Sequence, residues 1–255
     1  MNFIDTHTHL YLKDFDIDID EEIKNSISLG INEFYLPSID SSYTNRMIDL
    51  KNKYPNEMKL MMGLHPTHID TDFKIEIDHI KKMLGEVEFS AVGEIGIDLY
   101  WNKKNLKNQI NIFIQQIEIA LSNKLPIVIH CRDAFDEVYK VLLNFKKDNL
   151  SGIFHCFTGT KEEANKIIDL NFKLGIGGVV TFKNGGIDKF LNQIPLTSIV
   201  LETDAPYLAP HPHRGKRNKS SYLVTIAEKI ALIYNLPIEK IAQQTTKNAR
   251  SVFKI

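Results

Sequence analysis

The feature that most constrains this chain is an alternation. Eight short β-branched or apolar runs, at 3–6, 33–37, 59–64, 90–95, 126–131, 152–156, 172–176 and 198–203, are separated by longer stretches with helical patterning. Over 105–123, Ile110, Ile114, Ile117 and Leu121 recur at three- and four-residue intervals, as one face of a helix requires. Thr160 and Glu163, just before 164–170, have the spacing of a capping box. Strands interleaved with helices build a parallel sheet. Eight such units predict a (β/α)8 TIM-type barrel with its active site at the C-terminal ends of the strands. An open doubly wound sheet has the same alternation, because counting strands does not show closure. No linker, low-complexity tract or internal repeat divides the chain, so 1–255 is expected to form a single domain.

Composition excludes several classes. With 43% hydrophobic and 25% charged residues, the 255-residue chain matches an ordinary globular protein and has ample apolar surface for a core. No apolar run approaches the roughly 18 residues of a membrane span, and Met1–Asp5 does not open a secretory signal. Two cysteines, Cys131 and Cys156, give no disulfide framework. A cytoplasmic protein without membrane contact is expected, and a near-zero net charge permits a monomer with no obligate protein partner.

Lys plus Arg number 31 against 32 for Asp plus Glu, a formal charge of −1, so global charge points to no nucleic acid. The distribution says more. Residues 211–219 (HPHRGKRNK) carry Arg214, Lys216, Arg217 and Lys219 with no acid, a local cationic strip after the last candidate strand. Such a strip meets a few phosphates rather than gripping a long duplex.

Metal-binding residue types gather at the strand ends. His7 and His9 leave the first strand as His-x-His; Glu94, His130 and His155 stand at the ends of the fourth, fifth and sixth; Asp204 follows the eighth. A single histidine at a strand end is ordinarily a hydrogen-bonded structural residue. Four histidines and two acids on one rim make a set that suits Zn²⁺, Mn²⁺, Fe or Mg²⁺. Six ligands exceed a mononuclear site, whereas two metals about 3.5–4 Å apart, bridged by a carboxylate, would use them all.

These residues resemble the TatD-like metal-dependent nucleases of the amidohydrolase superfamily. The motifs run nearly end to end: FIDTHTHL at 3–10, GLHP at 63–66, VGEIGID at 92–98, IHCRDAF at 129–135, HCFTG at 155–159, ETDAPYLAP at 202–210 and HRGKRN at 213–218. The resemblance implies a TIM-type barrel that hydrolyses DNA with two divalent ions (Mg²⁺, Mn²⁺ or Zn²⁺). It implies one ion held by His7, His9, Glu94 and Asp204, and a second by His130 and His155, with Glu94 bridging in place of the carbamylated lysine of other superfamily members. It further implies that His65 contacts the substrate phosphate, that Glu202 lies behind the ligands, and that cleavage proceeds from a 3′ end. Cys131 departs from the usual Ser of the family, and His211 is unusual before HRGKRN.

The chemistry follows from charge. Two cations lower the pKa of a water toward about 7 and neutralise charge on the phosphoryl oxygens. Asp204 is placed to take the proton, and His65, Arg214 and Arg217 to hold non-bridging oxygens. Carbonyl chemistry would need the same ligands, so a deacylase acting on D-aminoacyl-tRNA is the alternative. A non-catalytic barrel is the third reading; an intact ligand set argues against it.

Other residues have plainer readings. In the His-Cys pairs at 130–131 and 155–156, strand alternation turns both thiols away from the histidines, against a thiolate metal site. Asp133 is expected to cap the following helix. The acidic run 14–22 lacks the glycine and final Glu of a calcium loop and is expected to cap the first helix. Tyr100 and Trp101 offer either a stacking face for an unpaired base or simple loop packing. His68 and His79 are expected on the surface.

Overall fold

The computed structural model describes residues 1–69, 73–101 and 103–254. Eight strands, β1 (Phe3–Asp5), β2 (Ile31–Leu36), β3 (Met58–Met62), β4 (Ala91–Asp98), β5 (Ile127–Arg132), β6 (Gly152–Phe154), β7 (Phe172–Ile176) and β8 (Ile199–Leu201), pair in sequence order, all parallel. The sheet closes where Thr6 N–H donates to Leu201 O (3.0 Å) and Asp204 N–H to His7 O (2.9 Å). The barrel rather than the open sheet is therefore realised. Helices α1 (Ile19–Ser28), α2 (Thr44–Lys53), α3 (Phe73–Glu86), α4 (Leu106–Ser122), α5 (Phe135–Leu143) and α6 (Lys161–Asp169) link successive strands. After β7 the connection consists of short 3-10 turns, and α7 (Leu223–Tyr234) and α8 (Ile238–Phe253) both follow β8. No helix among the described residues is long and apolar enough to cross a membrane.

Alternation along the strands divides the core in two. Ile4, Tyr35, Met61, Ala91, Val128, Ile153 and Val200 fill the barrel interior, where Ala249, Val252 and Phe253 of α8 pack beneath them. Phe253 stacks on Tyr35 with centroids 3.8 Å apart. The opposite strand faces, among them Phe34, Leu60, Ile129 and Leu174, pack against the helices. Neighbours two residues beyond the interior layer then point to the rim: His130 after Val128, His155 after Ile153 and Glu202 after Val200.

Several local expectations change. β4 runs to Asp98, past Glu94, since Gly96 (φ 143°) is a strand residue beside the His130 carbonyl rather than the start of a turn. A Cβ at Gly96 would sit 2.0 Å from that oxygen. Asp133 is not a cap: it adopts left-handed backbone (φ 53°), and α5 starts two residues later behind Ala134. Asp18 holds the N-cap position of α1, but its carboxylate pairs with Arg217 instead of the helix amides. The Thr160–Glu163 capping box forms as expected, with both reciprocal bonds present. On α4, Gln109 and Gln116 are buried and clamp strand ends: Gln109 binds the backbone N–H and C=O of Asp98, and Gln116 does the same for Leu64.

Because Phe253 fills the barrel floor, Phe253→Ala should cost about 3–5 kcal/mol, whereas Thr160→Ala should cost only about 1 kcal/mol. Urea unfolding checks both. A loss below about 1 kcal/mol for Phe253→Ala would show that the barrel interior does not depend on α8.

Candidate active site

The closed barrel delivers one side chain from each of several strand ends to a common point. Glu94 lies at its centre with 2% exposure, and its two oxygens face different partners. Oε2 is 3.2 Å from His7 Nε2 and 3.7 Å from His9 Nε2. Oε1 is 2.8 Å from His130 Nδ1, 3.1 Å from His155 Nε2 and 3.3 Å from His65 Nε2. Asp204, on left-handed backbone (φ 57°), closes the first group at 3.5 Å from His9 Nε2 and 3.8 Å from His7 Nε2. All six predicted ligand residues are thus brought together, with His65 beside them. Three sets of donor atoms, His7–His155–Asp204, His7–His9–Glu94 and His65–Glu94–His130, each lie within 4.8 Å.

The far side of each ring fixes what its near nitrogen can do. The Tyr11 hydroxyl donates to Pro37 O (2.6 Å), so its oxygen accepts from His9 Nδ1–H (2.8 Å) and leaves His9 Nε2 as a lone pair. Asp98 Oδ2 stands 2.9 Å from His130 Nε2, and Glu202 Oε1 3.2 Å from His155 Nδ1. His65 has the opposite arrangement. The Thr67 backbone N–H donates to its Nδ1 (3.2 Å), so its Nε2 carries the proton and is a donor facing the site. His7 is fully buried, and neither ring nitrogen has a hydrogen-bond partner among the described residues. A buried nitrogen left in that state costs about 1–3 kcal/mol. With its Nε2 between two carboxylates, it suits a cation, and the donor set fits a divalent metal.

Burial and the neighbouring charges set the protonation of each group. Burial opposes ionisation of Glu94, yet His155, His65 and His7 together hold it well below the usual carboxylate range. Asp204 is likewise lowered against burial, chiefly by His9. Burial pushes His7 down and takes His65 to about 4, keeping both neutral. His155 rises well above the usual imidazole value despite burial because Glu94 and Glu202 flank it, and His130 rises against burial through Asp98 and Glu94. A cavity of about 400 Å³ opens onto this cluster.

A family model described as TatD related DNase matches residues 4–254. The metal-dependent hydrolase YabD of Bacillus subtilis is 35% identical over 252 residues, covering 98% of both chains. The metal-dependent hydrolase YcfH of Escherichia coli K12 is 30% identical over 259 residues, covering 100% of this chain and 97% of its own. The crystal structure of YjjV, a TatD homologue from E. coli K12, superposes with a TM-score of 0.93 at 25% identity, over 99% of this chain and 98% of that one. The chain belongs to the TatD-related DNase family. It is a metal-dependent hydrolase, and the resemblance read from its motifs holds across its length.

Two predicted substrate residues of this TatD-family hydrolase lie elsewhere. Arg217 pairs with Asp18 (2.8 and 2.5 Å), reaches Asp14 O and covers the Phe15 ring. Arg214 stacks on Phe182 (3.7 Å) and donates to Ala209 O. Neither is among the described residues lining the cavity. Lys219 also faces Asp18 and Glu22, so the acidic run 14–22 neutralises much of the cationic strip. The residues missed are Asp98, Tyr11 and Arg132. Asp98 and Arg132 stood inside the quoted motifs VGEIGID and IHCRDAF; Tyr11 follows FIDTHTHL directly. Glu202 lies behind His155: it accepts from Cys156 N–H (2.5 Å), and its space exists because residue 175 is glycine, where a Cβ would meet Oε2 at 2.1 Å. His68 is exposed and pairs with Asp40; His79 is half-buried against Thr44.

Both cysteines are free thiols set apart from the cluster's donor atoms. Burial pushes Cys131 up to about 12 and Cys156 further. At pH 8 the native thiols should react with a disulfide reagent at least about a hundredfold more slowly than a free cysteine, with two thiols appearing on denaturation. Fast labelling of the native protein would place a thiolate near the site after all.

Proposed function

We propose that this hydrolase cleaves DNA phosphodiester bonds at a pair of divalent ions, working as a 3′-to-5′ exonuclease on single-stranded or frayed ends. The observation that carries the reading is the division of Glu94: one oxygen faces His7 and His9, the other His130 and His155. His7, His9, Glu94 and Asp204 would hold one ion and His130 and His155 the other, with Glu94 shared; Mg²⁺, Mn²⁺ and Zn²⁺ all suit such oxygen and nitrogen donors. Ions bound there supply water acidified toward neutral pH and neutralise charge on the phosphoryl oxygens.

The protein's own groups do the rest. Asp204 is ionised, borders the cavity and accepts the proton of the attacking water. His65, neutral with its proton on Nε2, donates to a non-bridging phosphoryl oxygen. Tyr11, Asp98 and Glu202 stand behind His9, His130 and His155; the phenol leaves His9 Nε2 a lone pair, and at His130 and His155 a bound cation would displace the proton of the near nitrogen and take its lone pair. Arg214 and Arg217 meet phosphates beyond the cavity, once freed from Phe182 and Asp18. The 3′ polarity follows the family resemblance. One barrel domain over 1–255 and a cytoplasmic setting, which suits two free thiols, complete the proposal.

End-labelled single-stranded and 3′-overhang DNA, incubated with Mg²⁺, Mn²⁺ or EDTA, tests it. Wild type should release mononucleotides only with metal, and Glu94→Ala should lose bound metal together with at least about 10²-fold of activity. Normal metal content and rate in Glu94→Ala would remove the bridging role. Inert DNA beside a hydrolysed D-aminoacyl-tRNA would overturn the nuclease in favour of carbonyl chemistry.

A further inference from the structure

The cavity wall carries a cation, Arg132, and a tryptophan, Trp101, that the ligand cluster does not use, with the Tyr100 ring against both. Arg132, the last residue of β5 and two beyond His130, is exposed and lines the cavity. Its guanidinium lies 3.8 Å from the Tyr100 ring centroid and 5.7 Å from that of Trp101. Among the described residues it has no acidic partner, in contrast to Arg217 with Asp18 and Arg46 with Asp16. An arginine stacked in this way keeps its N–H edge free for a bidentate anion.

Trp101 is 69% exposed and Tyr100 53%, edge to face at 4.9 Å, so neither ring is spent on the core. Their backbone is nonetheless pinned. Asp98 Oδ1 accepts from the N–H of both Tyr100 and Trp101 at 2.9 Å, while its Oδ2 holds His130. One buried carboxylate therefore sets the aromatic pair in register with the ligand cluster, and Gln109 anchors the backbone of that carboxylate in turn. Tyr207, 51% exposed, lies on the wall of the same cavity. Loop packing does not account for a tryptophan left open to solvent on a fixed backbone beside an unpaired cation.

We propose that Arg132, Trp101 and Tyr100 form a subsite for one unpaired nucleotide of single-stranded DNA, with Arg132 on a phosphate and the Trp101 face on the base. The alternation of anion and flat ring in such a strand matches the alternation of cation and ring on the wall, and stacking tolerates any base. A duplex hides its base faces and could use Arg132 alone. This subsite rests on the nuclease reading and accounts for a preference for frayed ends.

Trp101 is the only tryptophan of the chain, so its fluorescence reports on the subsite directly. The metal-loaded protein would be titrated with a nuclease-resistant phosphorothioate oligo(dT) and with a blunt hairpin of the same linkage. The single strand should quench the emission and the hairpin should not. By anisotropy, Trp101→Ala should weaken single-strand binding about 5- to 100-fold, the worth of one base–aromatic stack, and Trp101→Phe should restore most of it. Arg132→Ala should flatten the dependence of log K on log salt by about 0.7, one phosphate contact on a single strand, and Arg132→Lys should keep the slope. Metal content and melting temperature confirm that each variant is folded. Tight single-strand binding with unquenched fluorescence, or variants matching wild type in affinity and slope, would overturn the subsite while leaving the nuclease standing. Wild-type protein that neither binds nor cleaves DNA, yet hydrolyses bis(p-nitrophenyl) phosphate, would overturn both.

Discussion

Everything at the rim depends on the seam between the two ends of the chain. Where β8 meets β1, Thr6 and Leu201, His7 and Asp204, and His9 and Ala205 are joined by backbone hydrogen bonds. Behind them Asp5, fully buried, accepts from the Thr203 hydroxyl at 2.6 Å and from its N–H at 2.9 Å. Burial outweighs those bonds and raises Asp5 to about 7. The seam makes residues nearly two hundred positions apart into neighbours. It turns eight strand ends from a row into a ring, so that side chains from β1, β4, β5, β6 and β8 share one axis. An open sheet of the same strands would leave His7 and Asp204 at opposite edges.

Within that ring, a buried carboxylate surrounded by imidazoles resolves a conflict between desolvation and attraction. Glu94 remains ionised because the flanking histidines more than offset its burial. The histidines are differentiated by what stands behind them. A phenol behind His9 leaves it a lone pair, carboxylates behind His130 and His155 raise the basicity of those rings, and a backbone amide behind His65 makes it a donor. Four rings of one residue type thereby receive different chemical roles from the group that stands behind each.

Asp98 joins two functions. It backs His130, shapes the Tyr100–Trp101 turn and is itself held by Gln109 from α4. Helix α4 therefore does more than cover the barrel. Its two buried glutamines fix the rim ends of β3 and β4, bearing on His65 through Leu64 and on His130 through Asp98. A polar residue on a helix face reads as solvated until the strand end that it satisfies is in view.

The sequence by itself determined the barrel's alternation and the residue types gathered at its rim. Period-2 and period-3.6 patterns are local properties, and a histidine two residues beyond an inward valine must follow it to the rim. Tertiary structure decided closure, the division of Glu94 between two histidine pairs, the tautomers and the fate of the cationic strip. Arg217 and Asp18 are 199 residues apart, and no local pattern reveals that one neutralises the other. Closure likewise consists of hydrogen bonds between the first and last strands. Strand count and helix periodicity are encoded in neighbours along the chain, whereas charge pairing and proton position depend on neighbours in space, which exist only once the ring has formed.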